Sequence, residues 1–213
     1  MIMPEERLFF PLLKRREQYS VKRDGEYYAD YSRYKEEIRV DCLGRCVYCD
    51  THENELNGPS SMALDHFRPK DHEQFTDLIS DPHNLVWACS ACNRAKWSYW
   101  PALGTDETMV NGEGFIDPFI EDRTAYFDVA DDGEIVAVKP PAKYIIELLN
   151  LNRPTPVQRR KARLVASQLL PLLTQDIARL EMMNKLSDKE QEELRLKKLS
   201  LELTSIKLDF ILK

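Results

Sequence analysis

Three short motifs follow one another between residues 46 and 96, and the predicted fold is built on them. They are CVYC at residues 46–49, LDHFRPK at residues 64–70 and CSACNRAK at residues 89–96. Two C-x-x-C pairs at this separation predict a four-thiolate zinc site, because each pair supplies two corners of a tetrahedron from one tight turn. We therefore expect one structural Zn²⁺ to be bound by Cys46, Cys49, Cys89 and Cys92.

Between and beside the cysteine pairs lie the residue types that a one-metal phosphodiesterase needs. Such an enzyme must activate a water, neutralise the phosphate and assist the leaving 3′ oxygen, and a divalent ion can supply the last two. His66 suits the general base, since its ordinary pKa of about 6.5 leaves much of it neutral near pH 7. Asp65 and Asn93 offer oxygen ligands for a catalytic Mg²⁺ or Mn²⁺. Asn84 is expected to brace the loop that carries His66.

The predicted elements bring these groups together. Residues 62–65 and 85–88 are short apolar strand candidates joined by a long polar loop, and residues 91–99 are a helix candidate. Strand, loop, strand and helix in this order make a ββα-metal arrangement. Consecutive helical side chains diverge by about 100°, so Cys92 can face the zinc while Asn93 faces the catalytic ion.

Basic and aromatic side chains near the motifs are candidate contacts to a nucleic acid. Lys70 and Lys96 are the predicted phosphate contacts, with solvated charge as the alternative, and Arg68 lies beside them. The tryptophans Trp87, Trp97 and Trp100 could stack on bases, but their spacing favours packing around the zinc lobe. Cys42 is interpreted as a small buried residue near a helix end. The other three histidines are interpreted as surface or loop residues: His52, His72 and His83.

Composition indicates a globular chain. The 213 residues are 43% hydrophobic and 9% aromatic, and no apolar run approaches the length of a membrane span. The first ten residues lack the basic-then-apolar order of a signal peptide, so we expect the cytoplasm. A reducing compartment also favours metal binding over disulfides for paired cysteines.

The net charge of −6 is unusual for a protein that meets a polyanion, but the charge is unevenly distributed. Residues 139–163 hold seven basic residues against one acid, whereas residues 113–134 hold eight acids against Arg123 alone. A local basic footprint predicts weak, salt-sensitive nucleic-acid binding by the isolated chain. Residues 139–163 could equally serve a partner protein.

The remaining elements place the chain in the α+β class. We expect two helical pieces between residues 4 and 43, a hairpin around Asp131-Asp132-Gly133, and a helix at residues 142–149. From Val157 the chain is expected to be helical to its end, with Pro171 kinking or dividing the first long segment. Ser187 to Glu190 is a capping box that starts the last helix.

The last helix carries a leucine-rich stripe at spacings of three and four residues. An intramolecular helical hairpin with residues 157–183 is favoured over a separate coiled coil. The predicted domains are a helical lead-in (1–43), a nuclease core (44–105), a β-hairpin module (106–140) and a C-terminal helical region (141–213).

The residues quoted above resemble the HNH endonuclease family, in the subset with a four-cysteine zinc site. The resemblance rests on the two cysteine pairs, Asp65-His66, Asn84-Leu85, and Asn93 with Lys96. Asn93 stands at the family's final histidine position, which implies Mg²⁺ or Mn²⁺ rather than a transition metal. The resemblance implies phosphodiester hydrolysis that leaves a 5′ phosphate and a 3′ hydroxyl.

A narrower resemblance covers about residues 40–165. The segments RCVYCD (45–50), HFRPK (66–70), FIDPF (115–119) and LNLNR (149–153) are similar to the PtuB-type HNH proteins of Septu and retron-associated anti-phage systems. This implies a PtuA-type ATPase partner and a defence nuclease acting on nucleic acid, with DNA favoured and RNA open. The alternatives are a non-catalytic zinc module that binds nucleic acid or protein, and a standalone restriction-type HNH nuclease.

Overall fold

A two-stranded antiparallel sheet and the helix after it carry the three sequence motifs. The computed structural model describes residues 7–102, 104, 107–183 and 185–212, with side chains up to residue 209. Strand β1 (Met62–His66) pairs with strand β2 (Leu85–Cys89), so that His66 lies opposite Leu85. Helix α2 (Ser90–Lys96) follows β2 directly. The predicted ββα arrangement is confirmed, with each strand one residue longer than expected.

The N-terminal region is less helical than the sequence predicts. Its helical part is a 3-10 turn at Tyr31–Tyr34 that leads into helix α1 (Lys35–Asp41). Residues 8–30 contain no helix, which contradicts the first of the two expected pieces. Residues 4–6 of that piece lie outside the described residues.

Tertiary contacts hold this extended segment in place of helical hydrogen bonds. The Phe10 N–H donates to Asp50 over 3.1 Å, and the Arg15 guanidinium donates to the backbone carbonyl of Leu85 over 3.2 Å. Arg16 forms an ion pair with Asp41 at 2.9 Å. Because these partners are remote in sequence, local periodicity does not report them.

Two small hairpins follow the ββα unit. Strands β3 (Met109–Val110) and β4 (Glu113–Gly114) form a hairpin that the sequence did not indicate. Strands β5 (Phe127–Val129) and β6 (Ile135–Ala137) form the predicted one around Gly133.

Glycine is required at the tip of the second hairpin. Gly133 has φ of +91°, and a Cβ there would lie 2.3 Å from the Val157 carbonyl oxygen. The tip therefore packs directly on the backbone of the helix that begins at residue 154.

Three helices complete the chain: α3 (Ala142–Leu148), α4 (Pro154–Glu181) and α5 (Asp188–Leu212). Helices α4 and α5 pack as an antiparallel pair, so the predicted helical hairpin is confirmed. Ser187 caps α5 as expected, since its N–H donates to the Glu190 carboxylate over 2.8 Å.

Helix α4 does not divide at Pro171, contrary to one predicted outcome. A proline removes one N–H donor from the helix, which here leaves the Ser167 carbonyl without its usual partner. Pro171 lies on an exposed face of α4, where water can reach that carbonyl.

Buried arginines attach α4 to the first cysteine pair. Asp50 receives hydrogen bonds from Arg163 at 2.8 Å and from Arg45 at 3.2 Å, and all three side chains are buried. The Arg160 guanidinium donates to the backbone carbonyl of Cys49 over 3.4 Å. Breaking such a buried pair costs about 3–5 kcal/mol, because it leaves an uncompensated charge. These contacts attach the C-terminal helices to the metal lobe, which is the ββα unit together with the two cysteine pairs (residues 46–96).

The mixture of helices and small sheets confirms the α+β class. The predicted domain limits at residues 43, 105 and 140 stay predictions. Among the described helices, none is long and apolar enough to cross a membrane.

Candidate active site and metal centre

The four predicted cysteines converge at one buried point. Their sulfurs all lie within 4.8 Å of one another, and none of the four forms a disulfide. The sulfurs of Cys49 and Cys89 are 3.8 Å apart. A tetrahedral Zn²⁺ with Zn–S bonds of about 2.3 Å requires sulfurs about 3.8 Å apart, so the donor set and its spacing fit zinc.

Local structure explains how the sulfurs meet. The first pair lies in the tight turn after Gly44, which has φ of +63°. Cys89 ends β2 and caps α2, accepting the Cys92 N–H over 3.5 Å. The same short helix thus begins at the metal centre and continues towards the predicted catalytic residues.

Arg153 lies against the sulfurs, a contact that the sequence did not reveal. Its Nη2 atom is 3.4 Å from the Cys89 sulfur, 3.5 Å from the Cys92 sulfur and 3.9 Å from the Cys49 sulfur. A four-thiolate zinc centre carries a negative charge of about two units, so a guanidinium here neutralises part of it. Arg153 precedes α4 by one residue, and only the fold brings it to the cysteines.

His66 lies at the end of β1 with its ring orientation fixed. Its Nε2 atom is 3.0 Å from the Ile79 backbone carbonyl oxygen, and the Tyr31 ring packs edge-on at 4.6 Å between centroids. Because a carbonyl only accepts, Nε2 carries the proton and Nδ1 keeps a lone pair. Burial lowers the pKa of His66 below its ordinary value, while the bond to Ile79 opposes that shift. This state suits a general base.

Asp65 is buried, and its side chain contacts other residues than the His66 ring does. Its carboxylate accepts a hydrogen bond from the Tyr48 hydroxyl at 2.6 Å and faces the Lys96 ammonium at 3.4 Å. Burial raises the pKa of Asp65 and lowers that of Lys96, and the ion pair opposes both shifts. Each carboxylate oxygen accepts more than one contact, so these partners leave lone pairs for a metal ion.

Lys96 is fully buried. Its ammonium also donates to the His66 carbonyl over 2.8 Å, so its hydrogen-bonding partners lie within the protein. This position does not suit the predicted phosphate contact. Instead, Lys96 joins the end of α2 to the end of β1 and thereby fixes against each other the two elements that carry the predicted catalytic residues.

Asn84 has the bracing geometry expected for it. Its side-chain oxygen accepts the Arg68 N–H at 2.9 Å, and its amide donates to the Arg68 carbonyl at 2.9 Å and the Leu78 carbonyl at 3.4 Å. These bonds close the loop between β1 and β2. The loop also carries the Ile79 carbonyl that orients His66, so Asn84 acts on the site indirectly.

An open cleft of about 510 Å³ collects the predicted reactive groups. Asp65, His66 and Asn93 all line it, and Asn93 is half-buried. Exposed Lys70 and Arg94 stand on its walls. The structure therefore brings together the predicted base, the predicted metal ligands and one of the predicted phosphate contacts.

Arg68 does not line this cleft but lies over aromatic rings. Its guanidinium carbon is 5.8 Å from the centroids of both Phe67 and Trp100. The half-buried side chain thus packs on the loop that Asn84 closes.

Trp97 differs from the other two tryptophans. Trp87 and Trp100 are buried, as the packing interpretation expects, whereas Trp97 is 71% exposed and lines the cleft. It also ends α2 three residues earlier than predicted, with φ of +48° and ψ of −129°. A non-glycine residue in this region is strained, and such strain is common at functional sites.

The other histidines occupy three different environments. His83 is exposed as expected, and His72 is half-buried with its Nε2 atom 2.8 Å from the Ser98 carbonyl. His52 is buried, so the surface alternative of the prediction is wrong for it, whereas its position in the loop after the first cysteine pair agrees with the other alternative. It accepts the Asn54 N–H at Nδ1 (3.1 Å) and caps a 3-10 turn, and burial lowers its pKa to about 4. Cys42 is fully buried at the end of α1, as predicted.

The basic segment at residues 139–163 is only partly a surface. Arg160 and Arg163 are fully buried, and Arg153 faces the cysteine sulfurs. The footprint inferred from the linear charge count is therefore smaller than expected, because the fold uses three of its arginines internally.

Comparison with known proteins identifies the ββα unit. Residues 46–98 match the family model described as HNH endonuclease. This part of the chain is an HNH endonuclease domain, which supports a nuclease function. No curated protein matches the chain significantly.

Proposed function

We propose that this protein is a metal-dependent endonuclease with His66 as the general base. The observation that carries the proposal is the His66 ring, which lines the cleft shared with Asp65 and Asn93 and is bonded at Nε2 to the Ile79 carbonyl, so that Nδ1 keeps the lone pair. A general base needs a lone pair within reach of water and a pKa that leaves it neutral at working pH.

Asp65 and Asn93 are the proposed ligands of a catalytic Mg²⁺ or Mn²⁺. Both carry oxygen donors and line the cleft, and neither offers the nitrogen or sulfur that transition metals prefer. The ion, when bound, supplies positive charge at the phosphate and the leaving oxygen. His66 takes the proton of the attacking water at Nδ1, and Lys96 and Asn84 hold the elements that position these groups. The four cysteines are proposed to bind a structural Zn²⁺.

A nucleic acid, with DNA favoured, is the proposed substrate. Lys70 and Arg94 give the cleft walls positive charge where a phosphate backbone would run. Exposed Trp97 presents a flat apolar ring on which a base can stack. These three residues are exposed, in contrast to Lys96.

A metal titration with an Asn93 variant tests this proposal. Wild-type protein should cut plasmid DNA with Mg²⁺ or Mn²⁺ and remain inactive in a chelator. Asn93→Ala should need more metal for its half-maximal rate, whereas Gln168→Ala, which removes an exposed amide on α4, should behave as wild type. Equal cleavage in the chelator, or an unchanged metal requirement in Asn93→Ala, would contradict the proposed ligands. Parallel single-stranded DNA and RNA substrates distinguish the substrate classes.

We further propose a role as the effector nuclease of an anti-phage system with a PtuA-type ATPase partner, acting in the cytoplasm. The support is the resemblance over about residues 40–165, together with a surface footprint too small for strong independent DNA binding. A neighbouring ATPase gene, co-purification of its product, and phage protection that His66→Ala abolishes would bear this out. Protection by the chain alone would favour the standalone nuclease, and protection that survives His66→Ala the non-catalytic zinc module.

A further inference from the structure

The helical hairpin of α4 and α5 has an apolar face that no described part of the chain covers. Four large apolar residues of α5 lie there, each 52–60% exposed: Leu196, Leu199, Leu203 and Ile206. On α4, Val165 is 52% exposed and Leu172 is 60% exposed. Val165 and Leu203 line one shallow groove between the helices, where the α4 residues adjoin the α5 stripe. We call this surface the hairpin face.

The charges beside the α5 stripe are not randomly arranged. The stripe recurs at spacings of three, four and three residues, which is the pattern of a coiled-coil seam. One flank of the stripe begins with acidic Glu193 and ends with basic Lys207. The other flank begins with basic Arg195 and ends with acidic Asp209. On both flanks the charge therefore changes sign from one end of the stripe to the other.

We propose that the hairpin face binds the hairpin face of a second copy of this chain, with the two α5 helices antiparallel. A two-fold axis level with Leu201 places Leu196 opposite Ile206 of the second copy, and Leu199 opposite Leu203 of the second copy. In an antiparallel pair of helices, each flank of the stripe faces the same flank of the stripe on the second copy. Each seam residue thus meets an apolar partner.

The flanking charges are complementary in this arrangement. Glu193 faces Lys207 of the second copy, and Arg195 faces Asp209 of the second copy, so symmetry produces four opposite-charge pairs. A parallel arrangement would instead bring Asp188 to Glu193 of the second copy, which is repulsive, and Glu202 to Lys207 of the second copy, which is attractive, so its charge pairs cancel. Charge complementarity therefore selects the antiparallel orientation.

Helix α4 fits the same axis independently. Val165 and Leu172 are centred between residues 168 and 169, and Leu169 lines the same groove as Leu203. The axis that pairs the α5 stripe therefore places Val165 near Leu172 of the second copy. The two hairpins then form a four-helix bundle whose apolar surfaces face inward.

The size of the face indicates a weak dimer. From Glu193 to Asp209 the helix rises about 24 Å, and two helices are about 20 Å wide. The area of a face with these dimensions is smaller than the roughly 800 Å² per partner of a standard interface. Glu202 also meets its own copy near the axis, at the cost of one repulsive pair. For an interface of this size we expect a weak dimer, with a dissociation constant of about 1–10 µM.

Sedimentation velocity on the full chain tests the proposal. Between about 0.5 and 100 µM, which spans the expected dissociation constant, wild-type protein should pass from monomer to dimer. Leu203→Glu should remain monomeric. The matched control Ile120→Glu should dimerise normally, since Ile120 is 79% exposed outside the hairpin face. A wild-type chain that stays monomeric, including one that binds only a different protein through this face, overturns the proposal.

A charge exchange tests the orientation. Glu193 and Lys207 are 14 residues apart, or about 21 Å along one helix, so they cannot contact each other within a chain. Glu193→Lys alone should weaken the dimer about 3–10-fold, and the double variant Glu193→Lys with Lys207→Glu should restore it. Dimerisation that Glu193→Lys strengthens would indicate a parallel pair and refute the arrangement. Circular dichroism of each variant verifies that α5 is retained.

Discussion

Replacing Arg153 by methionine should loosen the metal centre without removing any metal ligand. Methionine keeps most of the length of the side chain and removes the charge that lies 3.4–3.9 Å from three cysteine sulfurs. The prediction is faster loss of zinc from a protein that still folds.

The magnitude follows from the distances. A unit charge about 4 Å from another contributes about 4 kcal/mol at an effective dielectric constant of about 20. Arg153 is half-buried, so screening by solvent reduces this to about 1–3 kcal/mol. Since about 1.4 kcal/mol is a factor of ten, zinc affinity should fall about 10–100-fold, as for other groups that contact metal ligands.

A chelator competition measures this effect. Zinc transfer to a coloured chelator should be faster and more complete for Arg153→Met than for wild type. Arg153→Lys should fall between them, because it keeps the charge but loses the planar donor group. Arg159→Met, six residues further along, removes the same charge as a control. Identical zinc affinity in Arg153→Met and wild type, with both proteins folded, would refute the electrostatic role.

Three further predictions concern the loop, the strained tryptophan and the buried histidine. Asn84→Ala removes three hydrogen bonds and should lower stability by about 1–3 kcal/mol and slow cleavage, measured by denaturant unfolding and initial rates. Trp97→Gly should raise stability by about 1 kcal/mol because it relieves a positive φ, yet raise the KM for single-stranded DNA. Burial lowers the pKa of His52 to about 4 in the folded protein. Between pH 6.5 and pH 4 the unfolded chain therefore binds more protons than the folded protein, and stability falls as the pH falls. That loss of stability reaches about 3 kcal/mol by pH 4. It should be smaller in His52→Asn, which keeps the N-cap acceptor but does not titrate. Equal dependence of the urea-unfolding free energy on pH in the two proteins would contradict this role of His52.

The metal lobe was the most predictable part of the molecule from sequence. Its residue types and spacings are dictated by local chemistry: two tight turns for four sulfurs, a strand end for His66 and a helix start for Asn93. The bracing role of Asn84 was also accessible, because an amide before a strand can close the preceding loop.

The parts that sequence did not reveal depend on contacts between distant residues. Arg153 reaches the cysteines only because α4 packs on the metal lobe, and Lys96 is buried only because Asp65 and the His66 carbonyl face it. Linear charge counts treat such residues as surface charge. The strain at Trp97 is likewise a property of backbone conformation, which residue type does not report.

The extended N-terminal segment was mispredicted for a related reason. Its apolar residues recur at spacings compatible with a helix, yet Phe10 packs on the core and its N–H bonds to Asp50. Tertiary partners at that distance override local preference. The helical hairpin was predictable because two long helical segments follow each other and the second begins at a local capping box. The stripe of Leu196, Leu199, Leu203 and Ile206, which was expected to find its partner surface within the hairpin, is exposed instead.

The cleavage rate of His66→Ala under single-turnover conditions tests whether His66 is the general base. Wild type, His66→Ala and the exposed-histidine control His83→Ala are each loaded with zinc and compared at saturating Mg²⁺. Loss of a general base should lower the rate about 100–10,000-fold in His66→Ala, with zinc content and thermal stability retained, while His83→Ala cuts normally. A His66→Ala protein that binds zinc, folds and cleaves at the wild-type rate would show that the base lies elsewhere.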